Sequence, residues 1–151
     1  MFCKLDQKNK CGISLLDYNK LSWYILKMFY KVWGKVRKGK SRGRLLGFPT
    51  ANINLKKDIP DGIYVSRVKF NKKFYKAATF VGNSKTYNEN DKKVEAFILN
   101  FNKDIYGRWI SITLFKKIRN NKKFKTEKDL ISQIKNDLSI IEKLNIENFV
   151  K

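Results

Sequence analysis

The sequence predicts a small, mainly β domain in which five or six antiparallel strands form a closed or nearly closed barrel, followed by one amphipathic helix. Short segments rich in β-branched and aromatic residues alternate with turn residues through the middle of the chain. The connections between these segments are too short for crossover helices, so neighbouring strands should be antiparallel. A chain of 151 residues that is 42% hydrophobic can form one core but not two, which leaves no room for a second sheet.

The first two predicted strands lie on either side of a glycine-rich loop in the sequence. Val32, Gly34 and Val36 alternate with cations, as in a half-buried strand. After the loop, residues 50–55 alternate again, so that Thr50, Asn52 and Asn54 should face one way and Ala51, Ile53 and Leu55 the other. These alternations predict two short strands, one on each side of the loop.

The next strands are predicted after the turn at residues 60–62, Pro-Asp-Gly. They cover residues 63–70, 73–81, 93–100 and 109–115. We expect hairpin tips at Asn71-Lys72 and Tyr106-Gly107, because these residue types favour turns.

Helices are predicted at the two ends of the barrel. An irregular apolar pattern predicts a short helix over residues 13–30, within an N-terminal extension of residues 1–30. The barrel domain should cover residues 31–146, and residues 147–151 form a tail. Its last helix should begin after Thr126, with Asp129 placed as in a capping box. The apolar face predicted for this helix contains Leu130, Ile131, Ile134, Leu138, Ile141 and Leu144.

The charge of the chain allows two interpretations. Its 34 Lys and Arg residues against 13 Asp and Glu give a net charge of +21. Such a field attracts polyanions, whether nucleic acid, an anionic membrane or a polyphosphate ligand. Alternatively, the excess is mostly lysine spread along the whole chain, which is typical of a biased composition on a solvated surface.

Histidine is absent from the chain, which excludes every catalytic triad that requires an imidazole base. Cys3 and Cys11 cannot form a zinc site without further ligands, and two cysteines do not make a disulfide framework. The most apolar early run, residues 21–29, is too short to cross a bilayer, and the polar start, residues 4–10, does not resemble a signal peptide. We therefore expect a cytoplasmic protein that does not bind a membrane.

The loop at residues 39–53 is the most informative segment. Three glycines, several cations and a Pro-Thr-Ala-Asn turn suggest a nucleotide site. Residues 34–41, Gly-Lys-Val-Arg-Lys-Gly-Lys-Ser, also satisfy the P-loop expression. That motif requires a helix that begins at its Lys-Ser, and we expect none here, because Gly43, Gly47 and Pro49 follow at once.

Residues 43–52, Gly-Arg-Leu-Leu-Gly-Phe-Pro-Thr-Ala-Asn, resemble the nucleotide loop of riboflavin kinases. The resemblance continues in register through residues 61–64 (Asp-Gly-Ile-Tyr), 94–99 (Val-Glu-Ala-Phe-Ile-Leu), 104–107 (Asp-Ile-Tyr-Gly), 118–119 (Ile-Arg) and Phe124. It covers about residues 30–144. The family fold is a six-stranded antiparallel closed barrel with a C-terminal helix.

The resemblance implies transfer of the ATP γ-phosphate to the ribityl 5'-hydroxyl of riboflavin, giving FMN and ADP. It implies that Thr50 and Asn52 bind Mg²⁺, whose preference for hard oxygen ligands suits a hydroxyl and an amide. Glu95 would be the general base, and Arg119 and Phe124 would contact the flavin. The residues implied to bind ATP are Gly39, Gly43, Arg44, Gly47, Thr50 and Asn52. We expect a monomer.

Each of these residues also has a simpler interpretation. Thr50 and Asn52 can belong to a turn that leads into a strand, Glu95 can pair with Lys93, and the loop cations can be solvated. A small basic barrel that binds nucleic acid is the rival function, supported by the basic stretches 35–44 and 116–125. An interpretation based on charge alone does not explain the Gly-Phe-Pro-Thr-Ala-Asn motif. We therefore expect nucleic-acid contact to be incidental.

Two departures from the family pattern alter what we expect. Residues 80–87, Phe-Val-Gly-Asn-Ser-Lys-Thr-Tyr, differ from the family's Asn-Ile-Gly string, so a ligand contact there is in doubt. Many bacterial relatives carry an adenylyltransferase module with a His-x-Gly-His motif. A chain without histidine cannot have that motif, so we expect FMN synthesis without FAD synthesis.

Overall fold

The computed structural model describes residues 29–55, 57–83 and 92–149. Cys3, Cys11 and most of the predicted N-terminal helix lie outside the described residues, as do residues 84–91. Within the described part of the chain, no helix is long and apolar enough to cross a membrane.

Six strands and two helices make up the described fold. The strands are β1 (Tyr30–Lys35), β2 (Ala51–Asn54), β3 (Gly62–Phe70), β4 (Lys73–Gly82), β5 (Lys93–Ile98) and β6 (Trp109–Arg119). The helices are α1 (Arg42–Leu45) and α2 (Glu127–Lys143), and a 3₁₀ turn follows at Ile146–Phe149.

The six strands form one antiparallel sheet in the order β1-β6-β3-β4-β5-β2. The sheet curls until its two edges nearly meet. There the Arg37 amide donates a hydrogen bond of 2.9 Å to the Asn52 carbonyl, which forms an isolated bridge between the end of β1 and β2. The prediction of a nearly closed antiparallel barrel is confirmed.

One of the two predicted hairpin tips is wrong. Asn71 and Lys72 join β3 to β4 with positive φ angles of 46° and 63°, which suit a tight hairpin turn. Tyr106 and Gly107 also form a turn, but β5 and β6 are not neighbours in the sheet. The Gly107 amide instead donates to the Val36 carbonyl at 2.9 Å. Residue types predict a turn here, but not which strands it connects.

The alternation predicted for β2 is confirmed, because Ala51 and Ile53 are buried in the barrel while Asn52 and Asn54 face outward. Other strands add aliphatic side chains to the same interior, including Val68, Val81, Val94, Ile112 and Leu114. Two buried hydroxyls, Ser66 and Thr79, lie 2.6 Å apart and bond to each other. Ser66 also donates to the Ala77 carbonyl at 2.9 Å, so both polar groups are satisfied inside the barrel.

Helix α2 lies on the outside of the barrel. It begins as predicted, since the Thr126 hydroxyl accepts a hydrogen bond of 3.1 Å from the Asp129 amide. At its other end, the Lys76 ammonium donates to the carbonyls of Ile141, Glu142 and Leu144 at 3.4, 3.1 and 2.7 Å. A cation at this end also offsets the negative pole of the helix dipole. Both ends of α2 are therefore fixed.

The predicted apolar face of α2 is only partly buried. Ile141 is fully buried and packs with Val65 and Phe115, whereas Leu130, Ile134 and Leu138 are half-buried. These three residues line a cavity between α2 and the sheet. The N-terminal half of the helix therefore forms one wall of a cavity instead of closing over the barrel.

Candidate active site

A cavity of about 220 Å³ lies on the outer face of the barrel. The loop of residues 39–50 borders it on one side and α2 on the other, and the floor is formed by strand residues. The floor and the helix wall include Asn52, Ile63, Ala78, Phe80, Glu95, Phe97, Arg119, Ile134, Asp137 and Leu138.

The floor of the cavity contains one row of side chains that crosses five strands. The strand register pairs Asn52 with Glu95, Glu95 with Phe80, Phe80 with Ile63, and Ile63 with Arg119. Residues paired in register point to the same face of a sheet, and strands are spaced by about 4.8 Å. The row therefore places a carboxylate and an arginine on one surface, separated by three strand spacings, or about 14 Å measured along the curved sheet.

Glu95 lies at the loop end of this row. Its side chain is 25% exposed, and Oε2 accepts a hydrogen bond of 3.4 Å from the Thr50 hydroxyl. Its other oxygen, Oε1, lies 3.6 Å from the ammonium of Lys93, the ion pair considered as its simpler interpretation. Glu95 and Phe97 share one face of β5, while Leu99 lies in the turn beyond this strand. The carboxylate is thus held between a hydroxyl and a cation at the cavity wall.

Thr50 and Asn52 converge with Glu95. The Asn52 amide nitrogen donates to the Thr50 carbonyl at 3.3 Å, and Asn52 stands directly opposite Glu95 in the register. The hydroxyl of Thr50, the amide of Asn52 and the carboxylate of Glu95 therefore meet at the same end of the cavity. These three residues come from two adjacent strands and the loop that precedes them.

Two glycines let the loop pack closely against this end of the cavity. A Cβ added to Gly39 would lie 2.8 Å from the amide nitrogen of Asn52 and 3.2 Å from its oxygen. A Cβ added to Gly43 would collide with the Phe48 carbonyl and lie 3.5 Å from the Thr50 hydroxyl. Only glycine fits at these positions, because any side chain would displace Asn52 or the segment that carries Thr50.

The expectation that no helix begins after Lys40-Ser41 is wrong. The loop contains the single helical turn α1, in which the amides of Leu45 and Leu46 donate to the carbonyls of Ser41 and Arg42 at 3.2 and 3.0 Å. A glycine in a helix costs only about 1 kcal/mol, which does not prevent one turn. The turn ends at Gly47, whose φ is 88°, so it is far shorter than a P-loop helix. Arg44 is exposed and lines the cavity, while Gly47 is exposed at the end of the turn.

Arg119, at the far end of the row, is held by Asp137 of α2. Its Nε lies 2.9 and 3.0 Å from the two carboxylate oxygens, and Nη2 lies 2.6 Å from Oδ2. The Gln133 amide donates to the same carboxylate at 2.9 Å. The two charged side chains are 21% and 6% exposed. This largely buried, bidentate ion pair between Arg119 and Asp137 fixes the arginine on the cavity wall and connects α2 to β6.

Sequence reasoning missed Asp137 and Asn121. The signal for Asp137 is an acidic residue three positions after Ile134 and four before Ile141, within the apolar face of a helix. Asn121 donates from Nδ2 to the Val81 carbonyl at 2.9 Å. Its buried Oδ1 has no hydrogen-bond partner among the described residues. Nothing in the sequence around Asn121 marks it as a cavity residue.

The rest of the cavity wall is apolar. Phe97 packs edge-to-face against Phe48, with ring centroids 5.7 Å apart, and this pair joins the loop to the sheet. Phe124 lies at the rim, with the Lys122 ammonium 5.1 Å from its ring centroid. Phe80 and Asn83, at the start of the departure from the family string, line the cavity, and the following residues 84–87 lie outside the described residues. The surface between Glu95 and Arg119 therefore suits a flat apolar ring.

The polar end of the cavity fits a small hard cation. A hydroxyl and an amide oxygen are ligands that Mg²⁺ accepts, provided that substrate oxygens and water complete its coordination. No group of three or more His, Cys, Asp or Glu side chains with metal-binding geometry occurs in the described part of the chain. The donors present therefore suit a metal that is shared with a phosphate ligand better than one held by protein carboxylates alone.

Comparison with known proteins gives consistent matches. The family model for riboflavin kinase matches residues 26–145. The chain is 37% identical over 138 residues to the trifunctional protein RibF/MnmA of Mycoplasmoides gallisepticum, a match that covers 89% of this chain and 19% of that protein. It is 35% identical over 150 residues to the bifunctional riboflavin kinase/FMN adenylyltransferase of Buchnera aphidicola subsp. Schizaphis graminum, covering 90% of this chain and 48% of that protein.

A solved structure is similar as well. The riboflavin kinase from Trypanosoma brucei superposes with a TM-score of 0.54 at 27% sequence identity, over 76% of this chain and 77% of that one. The chain spans less than half the length of the two curated relatives described above.

Proposed function

We propose, from the premise that this chain belongs to the riboflavin kinase family, that it transfers the γ-phosphate of ATP to the ribityl 5'-hydroxyl of riboflavin, giving FMN and ADP. The observation that carries the proposal is the meeting of Thr50, Asn52 and Glu95 at the polar end of an apolar cavity. Phosphoryl transfer depends on positioning and charge neutralisation, and this cavity offers groups for both.

Glu95 is proposed as the general base. Its carboxylate faces the cavity, and its contact with the Thr50 hydroxyl, at 3.4 Å, shows that a hydroxyl oxygen fits beside it. In the reaction, Glu95 accepts the proton of the ribityl 5'-hydroxyl while that oxygen attacks the γ-phosphorus and the bond to the β-phosphate oxygen breaks. Lys93, at 3.6 Å from Glu95, supports the ionised carboxylate by its charge.

Thr50 and Asn52 are proposed to hold Mg²⁺ together with the phosphates. When bound, the metal neutralises charge on the phosphate oxygens. The chain would supply two ligands for the metal, the Thr50 hydroxyl and the Asn52 amide oxygen. The close packing of Gly39 against Asn52 holds this amide in place.

The ATP phosphates are proposed to lie beneath the loop of residues 39–50. Gly39, Gly43 and Gly47 allow the backbone to approach, and the exposed Arg44 supplies positive charge at the cavity. The carbonyls of Arg42, Gly43 and Arg44 in the helical turn α1 accept hydrogen bonds from the amides of Leu46, Phe48 and Gly47 within the loop. The loop therefore acts as a cover that is held together by its own hydrogen bonds.

The flavin ring is proposed to occupy the apolar part of the cavity. Ile63 and Phe80 would contact one side of the ring and Leu138 of α2 the other. Arg119 and Phe124 would border it, with Arg119 held in place by Asp137. This placement points the ribityl chain along the row of side chains toward Glu95.

The experiment that tests the proposal is chromatographic detection of FMN. We expect the purified protein to convert riboflavin to FMN with ATP and Mg²⁺, and to stop when the metal is chelated. Lumiflavin, which has the same ring system but no ribityl hydroxyl, is the matched control and should gain no phosphate. A folded protein that forms no FMN under these conditions contradicts the proposal.

A further inference from the structure

A second functional surface lies on the barrel wall, away from the cavity. Three aromatic side chains are unusually exposed on this wall: Trp33 of β1 is 61% exposed, Trp109 of the adjacent β6 67%, and Phe74 of β4, which β3 separates from β6, 54%. None of the three lines the cavity described above. Large aromatic side chains that remain exposed on a rigid sheet are typical of binding surfaces.

The strand register places these rings in cross-strand rows that also contain lysine and arginine side chains. Trp33 is opposite Ser111, Ser111 is opposite Lys69, and Lys69 is opposite Phe74. This row runs across four strands, so Trp33 and Phe74 are separated by three strand spacings, or about 14 Å measured along the curved sheet. We define the tryptophan face as this row together with its two flanking rows, which consist of Lys35 and Trp109 on one side and Lys31, Thr113, Arg67 and Lys76 on the other.

Cations of the tryptophan face lie against its rings. The Arg67 guanidinium is 4.4 Å from the Phe74 ring centroid, and the Lys69 ammonium is 5.5 Å from it. Lys57, from the segment after β2, reaches the Trp33 ring at 5.2 Å and donates to the Lys31 carbonyl at 3.0 Å. These contacts hold positive charge at the ring faces.

The three rows of the tryptophan face contain no carboxylate, although the protein has 13. Lys31, Lys35 and Lys69 are exposed. The net charge of +21 alone does not explain this pattern, because an excess of lysine over the whole surface does not determine where exposed aromatic rings lie. This wall of the barrel therefore combines exposed rings with cations between them.

Contrary to the expectation from the sequence alone that nucleic-acid contact is incidental, we infer that the tryptophan face binds single-stranded nucleic acid, with bases stacked on Trp33, Trp109 and Phe74 and phosphates near the lysines. Single-stranded nucleic acid alternates anionic phosphates with flat rings, which matches the alternation of cations and rings on the sheet. An anionic membrane fits less well, because interfacial binding requires a contiguous apolar surface, and here Ser111 and Lys69 separate Trp33 from Phe74.

The inference is tested by fluorescence anisotropy with a labelled oligothymidylate of about 15 nucleotides and the full chain. We expect binding that weakens as salt increases, and quenching of tryptophan fluorescence because bases stack on the rings. The double substitution Trp33→Ala and Trp109→Ala should weaken binding at least about thirtyfold, since each of the two rings stacks one base and stacking contributes about 1–3 kcal/mol per base. Retained FMN formation would show that the double variant still folds.

A matched pair of lysine variants distinguishes the contribution of the tryptophan face to binding from that of net charge. Lys35→Gln with Lys69→Gln and Lys128→Gln with Lys135→Gln each remove two exposed positive charges, the first pair from the tryptophan face and the second from α2. The first variant should weaken binding at least several-fold more than the second. Equal losses would overturn the inference, as would tighter binding to duplex DNA, to heparin or to anionic phosphatidylserine vesicles than to the oligothymidylate. Absence of both binding and tryptophan quenching in the unaltered protein would also overturn it.

Discussion

Glu95→Gln is expected to lower kcat for FMN formation about 10²- to 10⁴-fold, which is the range that a positioned general base contributes. Glutamine keeps the shape of the side chain and can still bond to the Thr50 hydroxyl, so the cavity should keep its form. It cannot accept the proton of the 5'-hydroxyl. Because riboflavin is proposed to bind in the apolar part of the cavity, KM for riboflavin should change little. Steady-state kinetics measured by FMN formation test both expectations.

Glu142→Gln is the matched control for this substitution. Glu142 is an exposed carboxylate of α2 that does not line the cavity, and its side-chain charge plays no part in the proposed reaction. The control variant should retain full kcat. If Glu95→Gln also retained full kcat, Glu95 would not be the base, and the reaction would depend on positioning and charge neutralisation alone.

Asp137→Ala is expected to lower the free energy of unfolding by about 3–5 kcal/mol, because it leaves the largely buried Arg119 guanidinium without its charged partner. The Gln133 amide loses its acceptor as well. Since α2 is tied to the sheet through this pair, its N-terminal half should also lose its fixed position over the cavity. Urea unfolding followed by circular dichroism measures the change in stability.

A double-mutant cycle separates loss of the ion pair from loss of packing. Arg119→Met alone, Asp137→Leu alone and the two together should show strong coupling, with the double variant more stable than the sum of the single changes predicts. Additive effects would contradict the role assigned to the pair. Asp129→Ala, at an exposed position of the same helix, is the control and should cost only about 1 kcal/mol through its contact with Thr126.

Features set by local sequence were predicted well. The alternation in β2, the tight turn at Asn71-Lys72 and the Thr126 cap depend on a few neighbouring residues, and each was confirmed. The turn at Tyr106-Gly107 was also predicted, but its role as a hairpin tip was wrong. Strand pairing is decided by the closure of the whole barrel, and the residue types of a turn do not specify it.

The cavity itself could be predicted only in part. The loop and Glu95 were selected by a resemblance of separated motifs, and strand alternation then predicted that Thr50 and Asn52 share a face. The pairing of Arg119 with Asp137 joins residues 18 positions apart on a strand and a helix, so no local pattern predicts it. The turn α1 was missed because the presence of Gly43 argues against a helix, while the packing of Gly43 against the Phe48 carbonyl becomes visible only in three dimensions.

The most direct test of the account is a crystal structure of the protein with ADP, Mg²⁺ and FMN. The account predicts that Mg²⁺ is bound by the oxygens of Thr50 and Asn52, and that the FMN phosphate lies beside Glu95. It also predicts that the flavin ring lies between Phe80 of the sheet and Leu138 of α2. Phosphates bound away from Thr50 and Asn52, or a flavin ring outside this cavity, would contradict the account.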